Sequence, residues 1–204
     1  MIVMLQNVLT ADQVAAIVAG LGDDAAAGAV HEDHGVAVGS ALMEHEPFAN
    51  AILPKALTPF QFDRHIPGSP VRDRMDSPLF RPGTPRAMRI DAVCVAFLSD
   101  PASYDGGELV IDSSTAPMPV KLPAGNAAVF PATDYFAVSP VTRGESWIAS
   151  CGVQSAIRGT REREILTEMW LTLNDFEAMA SGDNVGVKFL GKARSNLIRL
   201  LADS

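Results

Sequence analysis

Arg89-Ile90-Asp91-Ala92-Val93-Cys94-Val95-Ala96-Phe97-Leu98, the turn residues Ser99-Asp100-Pro101 and Asp105-Gly106-Gly107, and then Glu108-Leu109-Val110-Ile111-Asp112 form the stretch that decides the fold. Short apolar and β-branched runs closed off by Pro, Gly and Asp clusters are the punctuation of an all-β region. The same grammar extends outward on both sides. It predicts strands over Phe60–Ile66, Val71–Asp76, Arg89–Leu98, Glu108–Asp112, Met118–Leu122, Ala127–Phe130, Tyr135–Val138 and Trp147–Gln154, with Pro123-Ala124-Gly125-Asn126 as a further turn. About eight strands suit a sandwich or a jelly roll.

Helical periodicity brackets this region. Thr10 and Gln13 make a capping box, and Val14, Ile17, Val18 and Leu21 then recur until Gly22, so a helix is expected over about 11–21. Gly22–Gly39, with His31-Glu32-Asp33-His34, shows no sustained period and reads as a loop or short edge element, followed by a short helix within Ala41–Ala56. Beyond Arg158, Ile165, Leu166, Met169, Trp170 and Leu173 line one face, as do Phe189, Leu190, Ala193, Leu197, Ile198 and Leu201. Two C-terminal helices are expected, joined through Ser181-Gly182-Asp183-Asn184. The organisation is one structural domain: a helical segment over 1–59, a β core over 60–158 and helices over 159–204. No internal repeat is visible.

The composition excludes several classes. With 204 residues, 48% apolar side chains and a mean hydropathy of +0.15, the chain has the makings of a folded, soluble domain. A net charge of −8 argues against a nucleic-acid partner, which needs clustered Lys and Arg. Apolar runs such as Ala92–Leu98 are far shorter than the roughly 20 residues of a membrane span. Met1-Ile2-Val3-Met4-Leu5-Gln6 lacks the pattern of a secretory signal, so a cytoplasmic protein is expected. Cys94 and Cys151 read as buried free thiols.

Phe97-Leu98-Ser99-Asp100-Pro101-Ala102-Ser103-Tyr104-Asp105-Gly106-Gly107-Glu108-Leu109, with Val120-Lys121-Leu122-Pro123-Ala124-Gly125 and Ser139-Pro140-Val141-Thr142-Arg143-Gly144, resembles the PKHD-type hydroxylases. These are prolyl-4-hydroxylase-like oxygenases dependent on iron(II) and 2-oxoglutarate. The likeness begins at Leu53-Pro54-Lys55 and Phe62-Asp63-Arg64 and runs through Gln154-Ser155-Ala156-Ile157-Arg158 into the helical tail. It implies a mainly β fold with flanking helices, a double-stranded β-helix or cupin-like jelly roll. It also implies an iron site of two His and one carboxylate, with an Arg for the 2-oxoglutarate carboxylate.

Counted without gaps from Phe62, the His-x-Asp motif of the family falls on Arg74-Met75-Asp76. The distal His position falls on Phe136, the Arg position on Ser146, and two Tyr positions on His65 and Val71. Of these, Asp76 alone carries a ligand of the expected type, and one carboxylate binds a first-row metal weakly. The resemblance therefore leads to the expectation of a pseudo-oxygenase. In this reading no metal is assigned, no cofactor is expected, and Arg74, Asp76, Phe136 and Ser146 line a vestigial pocket. If Val71–Asp76 is a strand, Arg74 and Asp76 share a face and pair as a buried ion pair. Arg72 lies on the same face. With Arg74 and His65 it makes an anion-binding mouth, or else Arg72 and Arg74 are solvated residues at a strand end.

His31, His34 and His45, with Glu32, Asp33, Glu44 and Glu46, are read as a solvated acidic stretch or an unrelated metal site. His65 is expected to be a strand histidine with a backbone partner. The expected function is binding of an unknown small ligand or a protein partner, with self-association or association with an active relative among the forms. The alternatives are a metal-independent enzyme using Arg74, Asp76 or His65 as acid, base or anion clamp, and an active hydroxylase with displaced ligands.

Overall fold

The computed structural model describes residues 1–22, 31–113, 116–179 and 184–203. Its elements, in chain order, are β1 (Val3–Leu5), α1 (Ala11–Leu21), α2 (Glu32–Glu44), α3 (Glu46–Ile52), β2 (Pro54–Leu57), β3 (Gln61–His65), β4 (Leu79–Phe80), β5 (Met88–Arg89), β6 (Ala92–Phe97), β7 (Asp105–Gly106), β8 (Leu109–Asp112), β9 (Pro117–Val120), β10 (Ala127–Pro131), β11 (Tyr135–Val138), β12 (Val141–Arg143), β13 (Ser146–Ser155), α4 (Thr160–Met179) and α5 (Val185–Leu201).

The major sheet runs β1-β10-β6-β13-β2, and β3 joins it along the first half of β13. A smaller sheet, β11-β8-β9, supplies the second layer. Strand alternation sorts the side chains between two cores. Val93, Val95 and Phe97 of β6 meet Leu109, Ile111, Phe130, Phe136 and Ile148 inside the jelly roll. Cys94 and Ala96 face the other way, with Val129, Ala149 and Val153, under the helices. At roughly 25 cal/mol per Å² of apolar surface removed from water, these two layers supply the main driving force for the fold.

The helices are pinned to the sheet by identifiable contacts. The capping box of α1 is present, with Gln13 N donating to Thr10 Oγ1 (3.2 Å) and Thr10 N to Gln13 Oε1 (2.8 Å). Arg194 of α5 is buried and donates to the carbonyls of Leu166 (3.0 Å) and Asn50 (2.9 Å), clamping α5 to α4 and α3. Arg89 holds the chain end by donating to Asp91 (2.8 Å), Asp203 (3.1 Å) and the Ser155 carbonyl (3.1 Å).

Several expectations need correction. Of Gly22–Gly39, read as a loop or short edge element, residues 23–30 lie outside the described residues and 32–39 belong to α2 (Glu32–Glu44), because Val38 and Leu42 at i, i+4 find a buried surface. That continues into α3 over 46–52 and then β2, so Ala41–Ala56 is not one helix. Val71–Asp76 is not a strand; its one β interaction is an isolated bridge between Arg74 and Phe136. With Pro70 and Pro78 close by and no apolar face to bury, nothing extends the ladder. Short β1, β2, β4, β5, β7 and β12 were not expected, since strands of two to four residues carry too little pattern to be read. Ser181–Asp183 of the expected helix connection lie outside the described residues, and Asn184 caps α5 by accepting from Gly186 N (2.9 Å).

Candidate active site at the barrel mouth

The inner face of β3 is set by its register on β13. His65 stands opposite Ser146, Asp63 opposite Ile148, and Gln61 opposite Ser150. Ile148 belongs to the core between the sheets, so Gln61, Asp63, His65, Ser146 and Ser150 all point into the jelly roll. Phe62 and Arg64 point outward; Arg64 stacks on Trp147 (5.7 Å) and pairs with Glu145 (2.6 Å).

Arg74 crosses this end of the barrel. Its N–H donates to the Phe136 carbonyl and its carbonyl accepts from Phe136 N, both at 2.9 Å. The guanidinium carbon lies 4.8 Å from the centroid of the Phe136 ring, and Nη2 donates to Asp63 Oδ2 at 3.3 Å. Phe136 is itself buried and packs edge-on against Phe130 at 5.1 Å. The ungapped count thus brings Arg74 and Phe136 into direct contact. The expected Arg74–Asp76 pair does not form. Without a strand over 71–76 the two side chains do not project together, and the guanidinium goes to Asp63 instead.

Two clefts flank the Arg74–Asp63 pair. One, of about 240 Å³, is lined by Asp63, His65, Ser69, Arg72, Arg74 and Val138 among others. The other, of about 410 Å³, takes Asp76, Gln61, Ser77, Arg81 and Ser150. Burial pushes the Asp76 carboxyl above its ordinary range, and the Arg74 charge partly offsets this. Arg72 is exposed at the rim and carries no ion pair among the described residues.

Deeper in, His65 Nε2 is buried without a hydrogen-bond partner among the described residues, and the buried Ser146 and Tyr104 hydroxyls lie against each other. Burial lowers the His65 pKa; Asp63 opposes and Arg74 reinforces that shift. The neutral imidazole is thereby favoured, and its Nε2 has no hydrogen-bond partner among the described residues. Burial also raises the Tyr104 phenol, while the facing Ser146 hydroxyl pulls it partly back. Lys121 seats the tyrosine, donating to its carbonyl at 2.8 Å with Nζ 3.9 Å from the ring centroid.

Asp63 and Tyr104 were missed in the sequence as site residues. Asp63 was legible, lying two residues before His65 on the same strand face. Nothing in the spacing around Tyr104 marks an inward hydroxyl.

The other histidines do not gather into a site. His45 Nε2 contacts the Gln6 carbonyl (2.8 Å) and its Nδ1 accepts from Phe48 N (3.4 Å), capping α3. His31 and His34 pack their rings against Phe62 at 5.8 and 6.4 Å, so this stretch is not the solvated loop expected. Cys94 and Cys151 are buried free thiols that face each other across β6 and β13.

This architecture is that of the prolyl-hydroxylase-like oxygenases. The fold is similar to a Pseudomonas putida prolyl-4-hydroxylase (TM-score 0.51, 20% identity, 78% of this chain and 93% of that one). It is also similar to the viral collagen prolyl hydroxylase of Paramecium bursaria Chlorella virus-1 in its 2-oxoglutarate complex (0.53, 14%, 76% and 95%). A third likeness is to HygX from Streptomyces hygroscopicus with nickel and 2-oxoglutarate bound (0.55, 10%, 76% and 81%). No protein-family model matches the chain.

Relatives in sequence define the family more closely. A PKHD-type hydroxylase of Paracoccus denitrificans is 33% identical over 165 residues, covering 80% of this chain and 73% of the relative. One of Bordetella pertussis is 36% identical over 163 residues, covering 79% and 72%. The chain belongs to the PKHD-type hydroxylase family.

The expectation of a scaffold without a cofactor is overturned by these neighbours, since solved members of this fold hold 2-oxoglutarate, in one case with nickel. The residues at the positions assigned to iron are a separate matter, and they do not fit a centre of two His and one carboxylate. A guanidinium and a phenyl ring, stacked on each other, offer no lone pair to a metal. Asp76 lies along the neighbouring cleft. Among the described residues no three His, Cys, Asp or Glu side chains group closely enough to hold an ion.

Proposed function

We propose that this chain is a PKHD-family scaffold turned from hydroxylation at a two-His, one-carboxylate iron centre to the binding of a small organic anion at the barrel mouth. One observation carries this reading. Arg74 stands against Phe136 with its guanidinium held between that ring and Asp63, where the resemblance calls for a pair of imidazoles. A fixed cation in a partly dehydrated cleft recognises carboxylates, and Arg72 adds a second guanidinium at the rim. The ligands 2-oxoglutarate in two solved neighbours and a carboxylate here share that chemistry.

Calorimetric and thermal-shift titration with pentanoate and with 2-oxoglutarate tests the proposal. Saturable binding of a carboxylate, weakened at least tenfold in Arg72→Ala, is the expected result. Binding of neither, binding indifferent to Arg72, or enzyme-dependent turnover of 2-oxoglutarate with iron(II) would each sink it.

A second reading rests on His65. A neutral imidazole with an unbonded Nε2 beside a cleft is poised to accept a proton, the requirement for a metal-independent acid–base enzyme at this mouth.

A further inference from the structure

The cleft of about 410 Å³ shares no described lining residue with the arginine mouth, and it holds polar groups that the fold leaves unused. Its volume lies within the roughly 300–1,000 Å³ of small-molecule sites. Asp76 lines it, half-buried, and makes neither an ion pair nor a hydrogen bond among the described residues. Arg81 lines it as well; its guanidinium stacks on the Phe80 ring at 5.1 Å and has no ion pair among the described residues. The two charges do not neutralise each other across the cleft, and the charge that acts on the Asp76 carboxyl is that of Arg74.

Ser150 supplies an independent sign of a ligand. It is 7% exposed and lines the same cleft, yet its hydroxyl has no hydrogen-bond partner among the described residues. A buried hydroxyl of that kind costs the free energy of its lost hydration unless something else supplies the bond. Gln61, opposite Ser150 on the β3–β13 ladder, also lines the cleft, whereas the Ser77 hydroxyl is already engaged by the Leu79 carbonyl at 3.0 Å. Asp76 lies near enough to Cys151, the residue after Ser150, for its charge to act on that thiol. Carboxylate, hydroxyl and amide are therefore gathered around one cavity.

These groups are complementary to a particular chemistry. An ammonium has three N–H donors, and Asp76, Ser150 and Gln61 offer three acceptors. The Arg81 guanidinium is suited to a carboxylate. A ligand with one charge alone would leave the opposite charge of the cleft unanswered, and a doubly charged anion would be repelled by Asp76. A ligand carrying both charges answers both and brings no net charge into the cleft.

We infer that this cleft is a second site, for a zwitterionic amino acid, with the ammonium held by Asp76, Ser150 and Gln61 and the carboxylate by Arg81. It stands independently of the anion reading at the mouth.

Calorimetry in an Arg72→Ala background, which removes the rim arginine of the mouth, tests the inference. The probes are glycine and its longer homologues 3-aminopropanoate, 4-aminobutanoate and 5-aminopentanoate, with pentanoate and pentylamine as singly charged controls. At least one amino acid is expected to bind saturably, and at least tenfold more tightly than either control. Asp76→Asn and Arg81→Gln should each weaken that ligand at least tenfold, and Ser150→Ala several-fold. The comparison among ligands needs no change within the cleft, so it decides the matter even where a variant is unstable. Binding of none of the four, equal affinity for a control, or binding indifferent to Asp76 and Arg81 would overturn the inference. Pentanoate bound by the wild type and lost in Arg72→Ala, with no amino acid bound, would sink this site and leave the mouth reading standing.

Discussion

Removing the Arg74 side chain is the sharpest probe of the barrel mouth. Arg74→Ala leaves intact the two main-chain bonds to Phe136, so the loss is confined to the guanidinium. Its ion pair is asymmetric, with the arginine side chain 36% exposed and the Asp63 carboxylate 7% exposed. An exposed pair is worth about 0–1 kcal/mol and breaking a buried one costs about 3–5. A single 3.3 Å contact, screened at its arginine end, falls between these limits, at roughly 1–2 kcal/mol. The stacking on Phe136 adds about 0.5–1 kcal/mol. The expected cost is therefore about 2 kcal/mol, read in urea denaturation as a lower midpoint at unchanged slope, and in heating as a drop of about 4–8 °C for a chain of this size.

A double-mutant cycle identifies the partner. Arg74→Ala with Asp63→Asn should show a coupling of about 1 kcal/mol, whereas Arg74→Ala with Asp76→Asn should be additive to within about 0.5. A cost below about 0.5 kcal/mol for Arg74→Ala, or coupling to Asp76 in place of Asp63, would refute the reasoning.

Two further outcomes are expected. The His65 pKa is depressed in the folded chain by burial, so as pH falls below about 6.5 the unfolded chain takes up a proton that the native state refuses, and stability declines; urea midpoints between pH 7.5 and 5.5 should fall less steeply in His65→Gln than in wild type, and parallel curves would contradict the assignment. Gly144 sits at φ +72°, where a Cβ would lie 2.3 Å from the Ser103 carbonyl oxygen. Left-handed strain of about 1–2 kcal/mol plus a forced backbone shift should make Gly144→Ala lose more than about 2 kcal/mol in the same melts, and an unchanged midpoint would show that the turn relaxes freely.

Read residue by residue, the chain already specified a great deal. The alternation Val93, Val95, Phe97 against Cys94, Ala96 in β6 is a property of consecutive residues, and so is the Thr10–Gln13 capping box. Both are legible because neighbours in sequence create them. The family, too, was legible, through runs of contiguous motif such as the one spanning Tyr104 and Gly107. Counting along such runs singled out Arg74, Phe136 and Ser146 as the expected site positions. What tertiary structure decided is which of these groups touch. Asp63 captures the Arg74 guanidinium because β3 and the bridge at Phe136 bring the two together across the barrel end. Asp76, two residues from Arg74, turns to a different cleft because no strand forms there. His65, Tyr104 and Ser146 meet through the β3–β13 ladder and the turn that seats Tyr104. Long-range partnership of this kind is set by packing and electrostatics between segments distant in sequence, and local periodicity carries no record of it.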